Sequence, residues 1–231
     1  MKRILSKSQA NLFIQCPYKW KRVYVDNIRS LPSPAQERGI KIHEKIEKFY
    51  KNMKPDEDLK HFIRFELQRA KDLFKSGKKD MKYFYPLFQE LKMKNEEIGL
   101  KGIVDAVYIN PDDDKLIIID WKTGKFYRNK FDDYRFELAV YAELLAHSGK
   151  VDEAPGYWGI YFVDQDKLFF EKINKDYITK MYETMKKVRE GIKNGEYKPK
   201  RNIWCRYCQF KNECMKGGVK WKQDIYGQQQ H

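Results

Sequence analysis

Apolar and polar positions change period several times along the chain. Between 35 and 51, Ile42, Ile46 and Phe49 recur at helical spacing among polar residues, which predicts a helix. Leu59, Phe62, Ile63, Leu67, Ala70 and Phe74 predict a second over 57–75, stopped by Gly77. After Pro86 the period shortens. Segment 87–94 alternates loosely, and 99–109 and 115–121 are β-rich runs around an Asn-Pro-Asp turn, so the three read as a meander. Helical spacing returns over 131–147 through Phe136, Leu138, Tyr141, Leu144 and Leu145. Two bulky strands, 157–164 and 167–172, precede a long helix over 177–193. Near the N-terminus, Ser6 or Ser8 caps a short helix that Pro17 ends just past Cys16. This order predicts an α/β fold: a mixed central sheet flanked by helices, with the 157–164 strand parallel to 115–121 through a crossover. It reads as one domain over 1–231, with a core at about 35–175. A helical lobe comes from 1–30 and 176–218, and nothing in 224–231 calls for order.

Composition adds a partner. The 231 residues are 42% apolar and 15% aromatic, which fits a folded chain rather than a disordered one. Net charge is +14, which favours a polyanion, most simply nucleic acid; a lysine-rich thermophilic surface is the alternative. No run approaches 18 apolar residues and the basic N-terminus lacks an apolar signal core, so the expectation is a cytoplasmic protein without a membrane span. No P-loop motif is present, which excludes an ATPase of that type.

Chemistry concentrates between Gly102 and Lys122. Asp105 and Asp120 each interrupt an apolar strand, and strand alternation turns Asp120 and Lys122 to one side. Unpaired charges there are costly, and a divalent cation removes that cost because hard cations take carboxylate oxygens. An ordinary solvent-facing hairpin is the competing reading. His43, Glu47 and Tyr50 share one helical stripe, and Glu137 and Tyr141 share another. Interleaved rings and cations occur at Tyr18–Tyr24 and in the 123–135 loop, where Arg128 and Lys130 are candidate DNA contacts; Trp20 and Tyr24 suit a core equally well. Four cysteines remain: Cys16, and Cys205, Cys208 and Cys214 in a C-x2-C-x5-C run. Four thiolates suit zinc or an iron–sulfur cluster, and spacing alone does not choose.

Taken together, G-I-V-D (102–105) and I-I-I-D-W-K (117–122) resemble the core of the PD-(D/E)xK nucleases, whose αβββαβ order matches the one derived above. The match is closer to the RecB-like branch. It is similar in S-x-S-x-x-x-x-F-x-x-C-P (6–17), G-x-x-x-H-E (39–44), the helix segment Glu137–Tyr141 and the closing cysteines. The resemblance implies a Mg2+- or Mn2+-dependent deoxyribonuclease, an exonuclease on single strands or ends before an endonuclease. His43, Asp105, Asp120 and the Trp121 carbonyl would hold the metal, with Asp105, Asp120 and Lys122 catalytic. Glu90, on the first predicted strand, is a candidate to orient a group behind the metal ligands. The resemblance also implies a [4Fe–4S] cluster on Cys16, Cys205, Cys208 and Cys214, as in AddB-type and CRISPR adaptation nucleases, tying the two chain ends into the helical lobe. One position departs: the family's glutamine is Glu137 here. Glu137 and Tyr141 are expected beside the DNA strand, with the carboxylate either facing DNA or adding charge to the metal site. A non-catalytic iron–sulfur subunit of a recombination or CRISPR adaptation complex is the alternative.

Overall fold

The computed structural model describes residues 3–29 and 32–216, so the 224–231 segment lies outside the described residues. In chain order the elements are α1 (Lys7–Gln15), α2 (Pro17–Tyr24), α3 (Pro34–Asn52), α4 (Lys60–Lys75), β1 (Phe88–Asn95), β2 (Leu100–Ile109), β3 (Leu116–Lys122), α5 (Phe131–Ala146), β4 (Tyr157–Phe162), β5 (Lys167–Lys172), α6 (Lys175–Lys193) and α7 (Lys211–Lys216). Short 3-10 turns precede α4, β1, α5 and α7. The chain divides into two compact units: Met1–Lys7 with Pro32–Lys186, and Ser8–Leu31 with the stretch from Lys187 onward.

The first unit is an α/β layer structure around one five-stranded sheet in the order β1-β2-β3-β4-β5. Pairing is antiparallel except between β3 and β4, which run parallel, so the sheet is mixed as the sequence predicts. The long crossover carrying α5 joins the parallel pair, as a parallel connection requires. Trp121 packs with Ile42, Ile46 and Phe49 of α3 and Phe62 of α4, in a core that also takes Ala106 and Tyr108 of β2. Alternation sends its neighbours Asp120 and Lys122 to the other face, where α5 supplies Glu137. Helices therefore cover both faces.

Two glycines permit close approach. A Cβ at Gly102 would stand 3.0 Å from the Tyr141 ring, so α5 lies directly on β2. At Gly159 the obstacle is harder: a Cβ would meet the Phe169 carbonyl oxygen at 2.7 Å and Ile119 Cδ1 at 2.8 Å. Backbone cannot swing aside as a side-chain end can. Gly159→Ala is expected to destabilise by about 1–3 kcal/mol and to lower Tm by roughly 2–4 °C per kcal/mol. An unchanged melting curve would contradict this packing.

The second unit is helical. Pro17 does not merely end α1; it occupies the first turn of α2, with Cys16 as N-cap accepting from the Lys19 N–H. Trp20 is fully buried, meeting Phe13 edge-on (5.5 Å between centroids) and stacking on Tyr197 at 6.0 Å. Of the two rings weighed for stacking on nucleic acid, Trp20 is core. Gly191 of α6 leaves room for Phe13, whose ring a Cβ would approach to 2.8 Å.

Candidate active site

A capping box at Ser33 and Gln36 starts α3 and sets the helix that carries His43. The imidazole meets the end of β3: Nε2 lies 3.0 Å from the Trp121 carbonyl oxygen. Nδ1 lies 3.2 Å from Glu90 Oε1 and 3.4 Å from Asp105 Oδ1. Asp105 is buried, and its Oδ2 accepts the Trp121 N–H at 2.7 Å, which fixes the carboxylate and leaves Oδ1 toward the histidine. Burial disfavours the imidazolium, but the contacts to Asp105 and Glu90 outweigh it and raise the His43 pKa to about 10. Without a metal, then, a proton-bearing ring supplies the positive charge among three oxygen acceptors.

Glu90 sits in left-handed backbone, at φ 44°. The β1–β2 ladder pairs Gln89 with Ala106 and Leu91 with Val104, skipping Glu90 and Asp105 between them. Glu90 and Asp105 stand opposite each other at this break, and both carboxylates reach His43. Among the described residues, His43, Glu90 and Asp105 form the group whose ligand atoms all lie within 4.8 Å of one another. An open cavity of about 460 Å3, lined by His43, Glu90, Glu44, Glu47 and Lys92 among others, adjoins them.

On the α5 side, Lys122 Nζ is 2.7 Å from Asp120 Oδ2 and 2.9 Å from Glu137 Oε2. The first of these contacts is ionic but lies outside hydrogen-bond directionality, so the buried Asp120 Oδ2 accepts no hydrogen bond. Burial pushes Asp120 up to about 7; Lys122 pulls it down, while Glu137 and Asp105 push it further up. Burial also opposes the Lys122 ammonium, yet Asp120 and Glu137 hold its pKa above the ordinary value. Glu137 resists burial through Lys122 and Lys7 and is held down at about 2. Tyr141 OH donates to its other oxygen at 3.2 Å.

A sequence model of the PD-(D/E)XK nuclease superfamily matches residues 4–215. The chain belongs to that superfamily. Nucleases of this superfamily use divalent metal ions, and the donor set fits one: several carboxylate oxygens, a carbonyl and one imidazole suit Mg2+ or Mn2+. Asp120 Oδ2 meets the Lys122 ammonium at 2.7 Å and would have to share that contact with a metal. Among solved structures the nuclease fold is similar to that of a protein described as "Putative exonuclease" from Eubacterium rectale, with TM-score 0.56 and 16% identity over 97% of this chain and 91% of that one. A second match, to SSO0001, has TM-score 0.41 and 15% identity over 93% of this chain and 86% of that one. No curated protein sequence matches the chain.

Of the residues singled out in the sequence of this nuclease, His43, Asp105 and the Trp121 carbonyl come together, and Asp120, Lys122, Glu137 and Tyr141 form a connected group. Glu137 is enclosed by Lys122, Lys7 and Tyr141. Arg128 and Lys130 lie in the exposed turn before α5, where Lys130 sits over the Tyr127 ring. Glu90 makes a direct contact with His43 that the sequence reading reduced to an orienting role, and Lys7 escaped it altogether. The signals were faint: an acid in a loosely alternating strand, and a lysine beside a capping serine.

In the second unit the four cysteines line one cavity, with Tyr18, Lys19, Trp204 and Lys211 beside them. All four thiols are free. Cys16 caps α2, Cys205 lies in a 3-10 turn that an Asn202 capping box starts, Cys208 ends that turn, and Cys214 lies in α7. Burial, then the neighbouring Cys16, Cys208 and Cys205, push Cys214 up to about 11.

Proposed function

We propose that this chain is a Mg2+- or Mn2+-dependent deoxyribonuclease acting as an exonuclease on single strands or DNA ends. The observation that carries the reading is the convergence at the end of β3: Asp120 and Lys122 on one side, the Trp121 carbonyl on His43, and the Trp121 N–H on Asp105. In this reading His43, Asp105, Asp120 and the Trp121 carbonyl hold the metal, and Glu90 orients His43 or adds a ligand. A bound divalent ion would acidify water and clamp the scissile phosphate. Lys122 is an ammonium at working pH, so it does not act as a base; it orients the attacking water and steadies charge on the phosphate. His43 must give up its proton for its ring nitrogen to act as a ligand, and Glu90 and Asp105 are the acceptors within reach. Tyr141 keeps its proton, since burial and Glu137 raise its pKa, and donates to Glu137. Arg128 and Lys130 would track the strand backbone in a salt-dependent manner.

Digestion of 5′- and 3′-labelled single- and double-stranded DNA with Mg2+, Mn2+ or EDTA tests this reading. Mononucleotides or short products from one end, only with metal, are expected. Salt-sensitive DNA binding without cleavage under any metal would favour a non-catalytic subunit of a recombination or CRISPR adaptation complex. Glu90→Gln is expected to weaken Mn2+ binding by about 10–100-fold, read by isothermal titration; wild-type affinity would remove Glu90 from the site.

The same reading places a [4Fe–4S] cluster on Cys16, Cys205, Cys208 and Cys214. The four cysteines line one cavity, which supports a single four-thiolate centre, and their split spacing resembles the iron–sulfur members rather than zinc sites built from two local pairs. A cytoplasmic setting belongs to the proposal. Among the described residues no helix is long and apolar enough to cross a membrane.

A further inference from the structure

Lys7, the first residue of α1, reaches the catalytic face of the sheet. Its Nζ lies 2.9 Å from Glu137 Oε2, the same oxygen that Lys122 Nζ approaches at 2.9 Å. The two side chains are largely enclosed, at 19% and 14% exposure, and 130 residues separate them in sequence. Two ammonium groups converging on one oxygen of a half-buried carboxylate do more than one pair would need.

The charges explain the arrangement. Lys122 is shared between Asp120 and Glu137. Were Glu137 without another cation, its full charge would draw Lys122 toward α5 and away from Asp120. The site would also hold one cation fewer where a phosphate has to approach. Lys7 offsets that charge at the same oxygen. We propose that Lys7 is a positioning residue of the nuclease site: by neutralising Glu137 it keeps Lys122 balanced between Glu137 and Asp120, so Lys7 and Glu137 act as one unit. This rests on the nuclease reading above. It makes Glu137 tolerable beside Asp120 because of a lysine donated by the N-terminal segment.

The test is a double-mutant cycle on the full-length chain, with Mn2+ and labelled single-stranded DNA, reading kcat and KM separately. Lys7→Met is expected to lower kcat by about 10–100-fold, as displacement of a catalytic group by about 1 Å does, with KM little changed. Lys7→Arg is expected to retain most of kcat, because the charge stays. Glu137→Gln alone should also lose kcat, since two ammonium groups then face one another. Lys7→Met with Glu137→Gln should lose at least about tenfold less than the product of the single losses, the size of coupling typical of contacting residues.

Wild-type kcat in Lys7→Met, a loss confined to KM, or independent single effects would each overturn the proposal. A purely structural Lys7 would lower the melting temperature without this kcat coupling. Should Lys7→Met fail to fold, Lys7→Gln with and without Glu137→Gln runs the same cycle. If the wild-type chain itself does not cleave, it is the nuclease reading that fails. The cycle is then read in the melting temperature of metal-free protein, where additivity of the two substitutions overturns the charge pair.

Discussion

Asp120→Asn is expected to abolish cleavage and yet to make the metal-free protein more stable at neutral and alkaline pH. The first effect follows from removing a buried carboxylate that pairs Lys122 and that the proposed mechanism uses as a metal ligand. Several kcal/mol of transition-state stabilisation at 1.36 kcal/mol per decade gives a drop of about 10³-fold or more in kcat. The second follows from its ionisation. Burial pushes Asp120 up to about 7, against about 3.9 for an unfolded aspartate. Between those values the folded chain binds more protons than the unfolded one, so stability falls as pH rises from about 4 to about 7. Above that window the whole cost of the buried anion is present, and below it none is.

The asparagine removes this cost, while Glu137 remains to pair Lys122. The gain should be on the order of a few kcal/mol at pH 8 and should vanish near pH 4. Added Mn2+ should raise Tm of the wild-type protein more than that of the variant. Thermal melts across pH, with and without metal, check all of this. Wild-type cleavage by Asp120→Asn would sink the active-site assignment. A variant less stable than wild type at pH 8 would mean that Asp120 serves the fold rather than the chemistry.

Much of this site was visible in the sequence because strand chemistry is local. An aspartate inside Ile117–Trp121 stands out against its neighbours, and period-two alternation already pairs it with Lys122. The 3.6-residue stripes of α3, α4 and α5 placed those helices to within a few residues. What stayed hidden depended on tertiary approach. His43 was named only through the family resemblance, since its helical stripe alone does not show that α3 lays it on the Trp121 carbonyl. Glu90 needed a left-handed residue in a strand, which no alternation pattern announces. Lys7 meets Glu137 across 130 residues. Glu137 looked like a group that would face DNA or metal, because only the fold shows two lysines and a tyrosine around it. Pro17 has two meanings, helix stop and first-turn residue; the Cys16 cap selected the second and made a new helix.

Anaerobically purified protein is expected to contain iron and sulfide at about 4 of each per chain, and Cys16→Ser is expected to lose most of both. Cys16 is the cysteine remote in sequence, yet it shares one cavity with Cys205, Cys208 and Cys214 inside the second unit. A bond network through that cavity closes most of the chain into a loop, which in chain-entropy terms stabilises by on the order of 5 kcal/mol. Packing of Phe13, Trp20 and Tyr197 holds part of the same unit without any cofactor. Cys16→Ser should therefore melt early rather than fail to fold, and Cys208→Ser should behave alike, since each removes one of four thiolates from the same centre. Pale protein from both variants, with brown wild type, would fit. Cys16→Ser protein with full iron and an unchanged Tm would remove Cys16 from the ligand set, and wild-type protein with stoichiometric zinc and neither iron nor sulfide would replace the cluster with a zinc site.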